Sequence, residues 1–412
     1  MEQVISHKIR SLYIHIPFCE KRCYYCDFVS SAQAQSEEMD AYVKRLISQL
    51  FSLSQAGLLY DIRTIYLGGG TPSYLSLANI ERLLAALEST LALGRVEEFS
   101  VEANPESLDS QKLDLLRKFG VNRISLGVQS FNDKEIKAIG RIHSSKRAKE
   151  VMALLDASKI NYSIDLMCGL PYQSQMSFLE SLAQVEAFEL SHLSVYPLTI
   201  EPGTTLDKLI DAHKVEAPSD DFEADALELA EDFLSKHGFV RYEIASYAKE
   251  GCESKHNSAY WSGISYLGLG SRAASMIYPE LIESLSCALN LYVPEIQDNT
   301  ARLRFSFTDD IHAYAHTDSY ELYDFECLDA RELVAEDLML AFRKTEGITQ
   351  AHIEKYLKRV PELQAPLMET LKECIELGLV DKISDAYVPS KKAWLLGNEL
   401  FGRLWDLHES AN

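Results

Sequence analysis

Three cysteines near the start of the chain carry the strongest chemical signal in the sequence. Cys19, Cys23 and Cys26 have the spacing C-x3-C-x2-C and follow a β-like run at residues 11–16. Thiolates this close together on one loop suit a metal ion or an iron–sulfur cluster better than a disulfide. A [4Fe–4S] cluster normally takes four cysteines. Three would therefore leave one iron open to a small molecule.

Two other interpretations of these cysteines stay open. A structural zinc site usually has four protein ligands, but the next cysteine is Cys168, and His15 lies in the predicted strand. The spacing could also be coincidence, although three cysteines on so short a loop make this the weaker view. The five remaining cysteines are scattered, as expected of idle or buried thiols in a reducing compartment.

A glycine-rich stretch, GGGTP at residues 68–72, directly follows the second predicted strand. Without side chains, backbone N–H and C=O groups there can approach a ligand closely. The stretch is not a P-loop because no Lys-Ser/Thr pair follows the glycines. It is either a tight turn or a cradle for an amino-acid-like ligand.

Charged and amide side chains occur near the ends of further predicted strands or just beyond them. Glu102, Gln129, Arg141 and Asp165 could hold such a ligand, since carboxylates suit ribose hydroxyls or an ammonium and arginine suits a carboxylate. Each could instead be a helix cap or a solvated loop residue.

The stretch HNSAYW at residues 256–261 combines an imidazole with two aromatic rings. Imidazole is a common axial ligand of heme iron, and flat aromatic rings suit a porphyrin face. On the sequence alone, a packed loop with a hydrogen-bonded His256 is the favoured alternative.

These residues need a scaffold, and the pattern along the first 200 residues predicts a parallel sheet. Six β-like runs alternate with helical patterns, which favours right-handed strand–helix–strand units. The unusual residues fall after successive strands, as in β/α barrels, whose active sites lie at the carboxyl ends of the strands. We therefore expect an incomplete (β/α)6 barrel. The predicted strands cover residues 11–16, 64–67, 99–103, 123–128, 162–167 and 192–196.

The rest of the chain predicts a smaller accessory part. A helix is expected at 219–237, a strand at 242–248, and an irregular, strand-like segment at 279–325. Helices and a short hairpin follow, in a winged-helix-like order. We expect a barrel domain at 1–250, a connecting segment at 251–330 and a C-terminal helical domain at 331–412.

Composition limits the class of protein. A chain of 412 residues with 47% hydrophobic residues can bury a large core. The formal net charge of −22 argues against a nucleic-acid partner, which would need a basic footprint. No stretch is long enough to span a membrane, and no signal peptide is evident. We expect a soluble, cytoplasmic protein, and contact with a membrane surface stays open.

Taken together, the motifs resemble the radical S-adenosylmethionine (SAM) superfamily. YIHIPFC at 13–19 and GGGTP carry this likeness. Further motifs narrow it to the coproporphyrinogen-dehydrogenase-like branch, and within that to its heme-chaperone family. These motifs are VEANP at 101–105, GVQSF at 127–131, GRIH at 140–143, DLMCGLP at 165–171, YPL at 196–198, and His256-Asn257 with Tyr260-Trp261.

The resemblance implies that Cys19, Cys23 and Cys26 hold a [4Fe–4S] cluster whose fourth iron is chelated by SAM. Positions matching those that bind SAM are Tyr13, Gly69, Gly70, Thr71, Glu102, Gln129, Arg141 and Asp165. It also implies a reductant for the cluster, heme binding with His256 as a candidate, and transfer of heme to apo-hemoproteins.

One alternative within the branch is an oxygen-independent coproporphyrinogen III dehydrogenase. In that enzyme a fourth cysteine follows the third by two residues, whereas this chain has Phe28 at that position. The enzyme also has a longer segment ahead of the cluster than the short one that precedes Cys19 here. Both departures favour the chaperone. Another radical SAM oxidoreductase and a purely structural metal domain are further alternatives.

Overall fold

A computed structural model describes residues 8–409. Its strands, in chain order, are β1 (Ser11–Ile16), β2 (Phe18–Cys19), β3 (Ser31–Ala32), β4 (Thr64–Gly69), β5 (Glu98–Ala103), β6 (Arg123–Gln129), β7 (Asn161–Cys168), β8 (His192–Pro197), β9 (Val240–Arg241), β10 (Ser246–Ala248), β11 (Tyr266–Leu269), β12 (Ala274–Ile277), β13 (Leu291–Tyr292), β14 (Arg302–Ser306), β15 (Tyr320–Glu321), β16 (Tyr323–Leu328), β17 (Ile348–Thr349), β18 (Val380–Ile383) and β19 (Ala386–Pro389).

The helices alternate with the strands in the first half of the chain and predominate after residue 330. They are α1 (Ser36–Gln55), α2 (Leu77–Thr90), α3 (Ser110–Lys118), α4 (Asp133–Ala138), α5 (Ser145–Ser158), α6 (Gln175–Leu182), α7 (Thr205–Asp211), α8 (Asp220–Lys236), α9 (Lys255–Trp261), α10 (Ile282–Leu289), α11 (Ile311–His316), α12 (Ala330–Ala341), α13 (Gln350–Leu357), α14 (Gln364–Glu376), α15 (Lys391–Leu395) and α16 (Gly397–Trp405).

Six parallel strands, β1, β4, β5, β6, β7 and β8, form the centre of a twelve-stranded sheet. Apolar residues dominate these strands and face helices on one side and the interior on the other, as in parallel sheets generally. The sheet does not close on itself. This confirms the incomplete β/α barrel predicted from the sequence.

The sheet extends beyond the predicted strands at both edges. β11 pairs in parallel with β1, and β12, β14 and β16 continue it in antiparallel order. At the other edge β10 pairs antiparallel with β8, and β9 pairs antiparallel with β10. Segment 251–330 thus supplies four strands to the main sheet. The expectation of an irregular segment at 279–325 was wrong for α10 and α11, which are short helices there.

The C-terminal part has its own apolar core. Buried side chains from α12, α13, α14 and α16 surround a three-stranded sheet of β17, β19 and β18. Trp261 connects this part to the barrel, because its indole nitrogen donates to Glu243 and its ring lies under Arg343, which also covers Phe401. No helix within residues 8–409 is long and apolar enough to cross a membrane.

Candidate functional site

The cysteine loop connects β1 to α1 at the carboxyl edge of the sheet. Cys19, Cys23 and Cys26 are all free thiols and partly exposed. The N–H of Cys26 donates to the carbonyl of Cys23 at 3.3 Å, which closes a tight turn between two of them. Burial raises the pKa of the Cys19 thiol, and raises the pKa of Cys26 to about 11. Binding to a metal would remove these protons.

Both ends of this loop are fixed by hydrogen bonds to the barrel. The N–H of Tyr24 donates to the carbonyl of Ile139 at 2.9 Å. At the far end, Nε2 of His15 donates to the carbonyl of Val29 at 3.0 Å, while the hydroxyl of Tyr13 donates to its Nδ1 at 2.9 Å. The loop is therefore held in place without a ligand.

Within residues 8–409 no three His, Cys, Asp or Glu side chains converge on one point that could hold a single metal ion. A [4Fe–4S] cluster requires a different arrangement of ligands. Each thiolate binds a different iron, so the three sulfurs stay apart. The three free thiols on this loop are suited to binding a cluster in this way.

The glycine-rich turn packs against the cysteine loop and does not present free N–H groups. The N–H of Gly70 donates to the carbonyl of Ile16 at 2.9 Å, and that of Thr71 donates to the carbonyl of Phe18 at 2.9 Å. A Cβ at Gly69, whose φ is +107°, would clash with the ring of His15. The glycines thus permit close packing of two strand ends, and the N–H groups of Gly70 and Thr71 are used within the protein.

Thr71 connects this turn to the first cysteine. Its hydroxyl donates to Sγ of Cys19 at 3.5 Å and accepts a hydrogen bond from Nδ2 of Asn104 at 3.0 Å. Oδ1 of Asn104 in turn accepts from Nη1 of Arg141 at 2.6 Å. Nη2 of Arg141 donates to the hydroxyl of Tyr25 at 3.1 Å, and its buried Nε has no partner.

Two partly buried carboxyl groups lie on β5 and β7. Glu102 accepts hydrogen bonds from the hydroxyl of Tyr66 at 2.8 Å and from the N–H of Gly69 at 3.0 Å. Asp165 accepts from the hydroxyl of Ser125 at 3.3 Å. Burial raises the pKa of Glu102 to about 7 and that of Asp165 to about 6, against the opposing effect of these hydrogen bonds.

Gln129 ends β6 at an irregularity in the pairing with β7, and its side chain is buried. Its φ of +68° lies in the left-handed region, which is costly for a residue with a side chain. The turn aims the amide away from the path of a regular strand.

The imidazole of His256 is enclosed within the protein. It lies in α9 with 1% of its surface exposed, and both ring nitrogens are hydrogen-bonded. Nδ1 donates to Thr64, whose own hydroxyl donates to Ser11, and Nε2 accepts from the hydroxyl of Tyr260, each bond of the imidazole being 2.8 Å long. Burial lowers its pKa to about 3. This geometry agrees with the packed, hydrogen-bonded alternative, and His256 as a heme ligand stays a prediction of the resemblance.

Three contributors to the site were not among the residues expected to bind a ligand: Tyr66, Tyr25 and Asn104. Tyr66 alternates with apolar residues in β4, and this period-2 position is the sequence signal that could have identified it. Asn104 follows β5 directly. Tyr25 lies between two of the cysteines, and only the fold brings its hydroxyl to Arg141.

Comparisons with known proteins agree with this geometry. Residues 13–185 match the Radical SAM superfamily. The heme chaperone HemW of Bacillus subtilis is 33% identical over 403 residues, which cover 96% of this chain and 98% of that protein. The chain belongs to the HemW family. The heme chaperone HemW of Escherichia coli is 38% identical over 264 residues, 64% of this chain and 69% of that protein.

A solved structure supports the fold of this HemW-family chain. Coproporphyrinogen III oxidase (HemN) from E. coli, described as a radical SAM enzyme, superposes with a TM-score of 0.75 at 22% identity, over 99% of this chain and 92% of that chain. The predicted superfamily, branch and fold are thereby confirmed. Membership of the radical SAM superfamily implies a [4Fe–4S] cluster and SAM.

Proposed function

We propose that this chain is a heme chaperone of the radical SAM type, which binds heme and transfers it to apo-hemoproteins. The observation that carries the proposal is its similarity to the Bacillus subtilis heme chaperone along nearly the whole of both chains. Phe28 agrees with this, since it stands where the dehydrogenase has a fourth cysteine, and its side chain is 61% exposed and cannot ligate iron.

The residues present fit a [4Fe–4S] cluster and SAM. Cys19, Cys23 and Cys26 are unpaired and would hold the cluster by three irons. The buried Nε of Arg141 lacks a hydrogen-bond partner, which is costly unless a ligand supplies one. A carboxylate such as that of SAM would satisfy it. Bound together, cluster and SAM supply one-electron reductive cleavage of the sulfonium.

The two partly buried carboxyl groups would bind the cationic or hydroxyl parts of SAM. Glu102 has two of its acceptor positions occupied, by Tyr66 and Gly69, and keeps further lone pairs for a ribose hydroxyl or an ammonium. With a pKa of about 7 it loses its proton readily when a cation arrives. Asp165 is similar, with a pKa of about 6.

Heme would have to bind outside the surroundings of His256. Both nitrogens of that imidazole are hydrogen-bonded and its ring is enclosed. Coordination of heme iron would therefore require α9 to move away from the sheet on which it packs. Delivery to an apo-hemoprotein in the cytoplasm, with an electron donor for the cluster, completes the proposal.

Two assays on the same preparation test this function. Anaerobically reconstituted protein is titrated with heme, and separately mixed with SAM, a strong reductant and coproporphyrinogen III. The proposal predicts stoichiometric heme binding and no decarboxylation. Protoporphyrinogen formed at catalytic yield by protein with an intact cluster would establish the dehydrogenase instead.

A further inference from the structure

The short helix α11 carries two exposed histidines one turn apart. His312 and His316 have stacked rings whose centroids are 4.2 Å apart, at an interplanar angle of 29°. The spacing of four residues puts both side chains on one face of a helix. No other two histidines of the chain are separated by four positions.

A hydrogen bond fixes the state of one of these rings. Nδ1 of His316 lies 2.9 Å from the carbonyl oxygen of His312 and donates to it, since a carbonyl can only accept. Nε2 of His316 is then the unprotonated nitrogen, with its lone pair directed away from the backbone. Histidines that bind metals commonly donate their other ring N–H to a backbone carbonyl in this way.

The opposite face of α11 packs against the rest of the protein, and this packing holds the helix that carries the two imidazoles. Tyr314 is fully buried, its hydroxyl accepts from the N–H of Gly270 at 2.8 Å, and it also bonds to Gln49 on α1. Its ring packs on Tyr42 with centroids 5.1 Å apart. Sites on rigidly packed elements hold their ligands with less loss of entropy.

We propose that His312 and His316 together chelate a divalent transition-metal ion at the surface, separately from the cluster. Metal–imidazole bonds of about 2.0–2.1 Å place the two ligating nitrogens roughly 3 Å apart around the ion. Rings stacked at 4.2 Å reach this by a small rotation about the side-chain bonds of His312, which is exposed, while the hydrogen bond to the backbone holds His316. Water completes the coordination.

The ligand set defines the chemical class of the ion. Two neutral imidazoles suit Ni²⁺, Cu²⁺ and Zn²⁺, whereas Mg²⁺ and Ca²⁺ prefer oxygen ligands. A bound ion would link the first and last turns of α11, and would thereby stabilise the packing of Tyr314 on Tyr42.

The test is anaerobic calorimetric titration of the cluster-loaded protein with Ni²⁺. We compare the wild type with His312→Gln, His316→Gln and the double variant. The matched control is His352→Gln, which changes an exposed histidine with no histidine four positions away. All four variants alter exposed side chains, and their unfolding curves without metal check that they fold.

We expect the double variant to lose one Ni²⁺ site, each single variant to bind at that site at least about tenfold more weakly, and the control to match the wild type. Ni²⁺ should raise the melting temperature of the wild type more than that of the double variant. Equal numbers of Ni²⁺ sites with equal affinity in wild type and double variant would overturn the proposal, as would full affinity in either single variant.

Discussion

The imidazole of His256 stacks on the ring of Tyr66, with centroids 5.1 Å apart and an interplanar angle of 27°. The same tyrosine donates its hydroxyl to Glu102, a candidate SAM ligand. His256 therefore supports the candidate site indirectly, through the ring of Tyr66, and is not itself one of the residues proposed to bind SAM. Its presence in a distinctive motif is explained by packing.

Replacing His256 with alanine should destabilise the protein and leave the heme affinity of the folded fraction unchanged. The change opens a cavity and leaves the hydroxyls of Thr64 and Tyr260 without their partner, which together cost about 2–5 kcal/mol in the free energy of unfolding. Denaturant unfolding and heme titration measure the two effects. His352→Ala, at an exposed position, is the control. Wild-type stability combined with lost heme binding would return His256 to the heme site.

The affinity for SAM should rise with pH and level off above about pH 7. Below the pKa of about 7, Glu102 is mostly protonated and attracts a cation weakly; ionisation strengthens binding by up to about tenfold per pH unit in this range. The Glu102→Gln variant should bind SAM more weakly. Its affinity should change little above about pH 6, where Asp165 is ionised. Equilibrium dialysis between pH 5 and pH 8.5 measures this, with Glu81→Gln on the exposed surface as control. A profile unchanged by Glu102→Gln would remove this residue from the ligand site.

The main strands could be predicted from the sequence because each is a short apolar run between turn residues. β1 begins and ends where expected, and the other five core strands differ by one or two residues at an end. The missed helices α4, α7, α9, α10 and α11 have six to eight residues, too few for a helical period to be evident. The two strands β9 and β10 replace the single one expected at 242–248.

The position of the candidate residues at one edge of the sheet could be predicted from the sequence, but the hydrogen bonds between them could not. The order of strands places Cys19, Thr71, Glu102 and Asp165 at one edge of the sheet, which follows from the parallel topology. The hydrogen bonds from Arg141 to Tyr25 and Asn104 depend on loop conformations that no local pattern specifies. Likewise, the burial of His256 depends on the packing of α9 on β4, a contact between residues far apart in sequence.

The hydroxyl of Thr71 should tune the cluster. Its hydrogen bond to Sγ of Cys19 stabilises negative charge on the sulfur, and hydrogen bonds to cluster sulfurs raise the reduction potential. Thr71→Val keeps the shape and removes the bond, so the potential should become more negative. Thr71→Ser keeps the hydroxyl and should stay near the wild type. Anaerobic spectroelectrochemistry of the reconstituted proteins compares them, and equal potentials for Val and Thr would contradict this role.

Arg302 should be essential for stability where the sheet meets the C-terminal helices. It is buried, and its Nη1 lies 2.6 Å from Glu336 and 2.8 Å from Asp337, both on α12. Arg302→Ala would leave Asp337 without its arginine and Glu336 with Arg304 alone, at a cost of about 3–5 kcal/mol in the free energy of unfolding. Arg403→Ala, which breaks more exposed ion pairs, should cost at most about 1 kcal/mol. Denaturant unfolding measures the loss of stability in both variants. Equally small losses would contradict the stabilising role of Arg302.

The central claim, that this chain delivers heme, is tested most directly by the rate of heme transfer. Heme-loaded protein is mixed anaerobically with increasing concentrations of the apo form of a b-type cytochrome, and the Soret band of the acceptor is followed. A chaperone that hands over heme in a complex predicts a rate that rises with acceptor concentration until it saturates. A rate independent of acceptor concentration would mean that heme merely dissociates into solution, and would contradict the account.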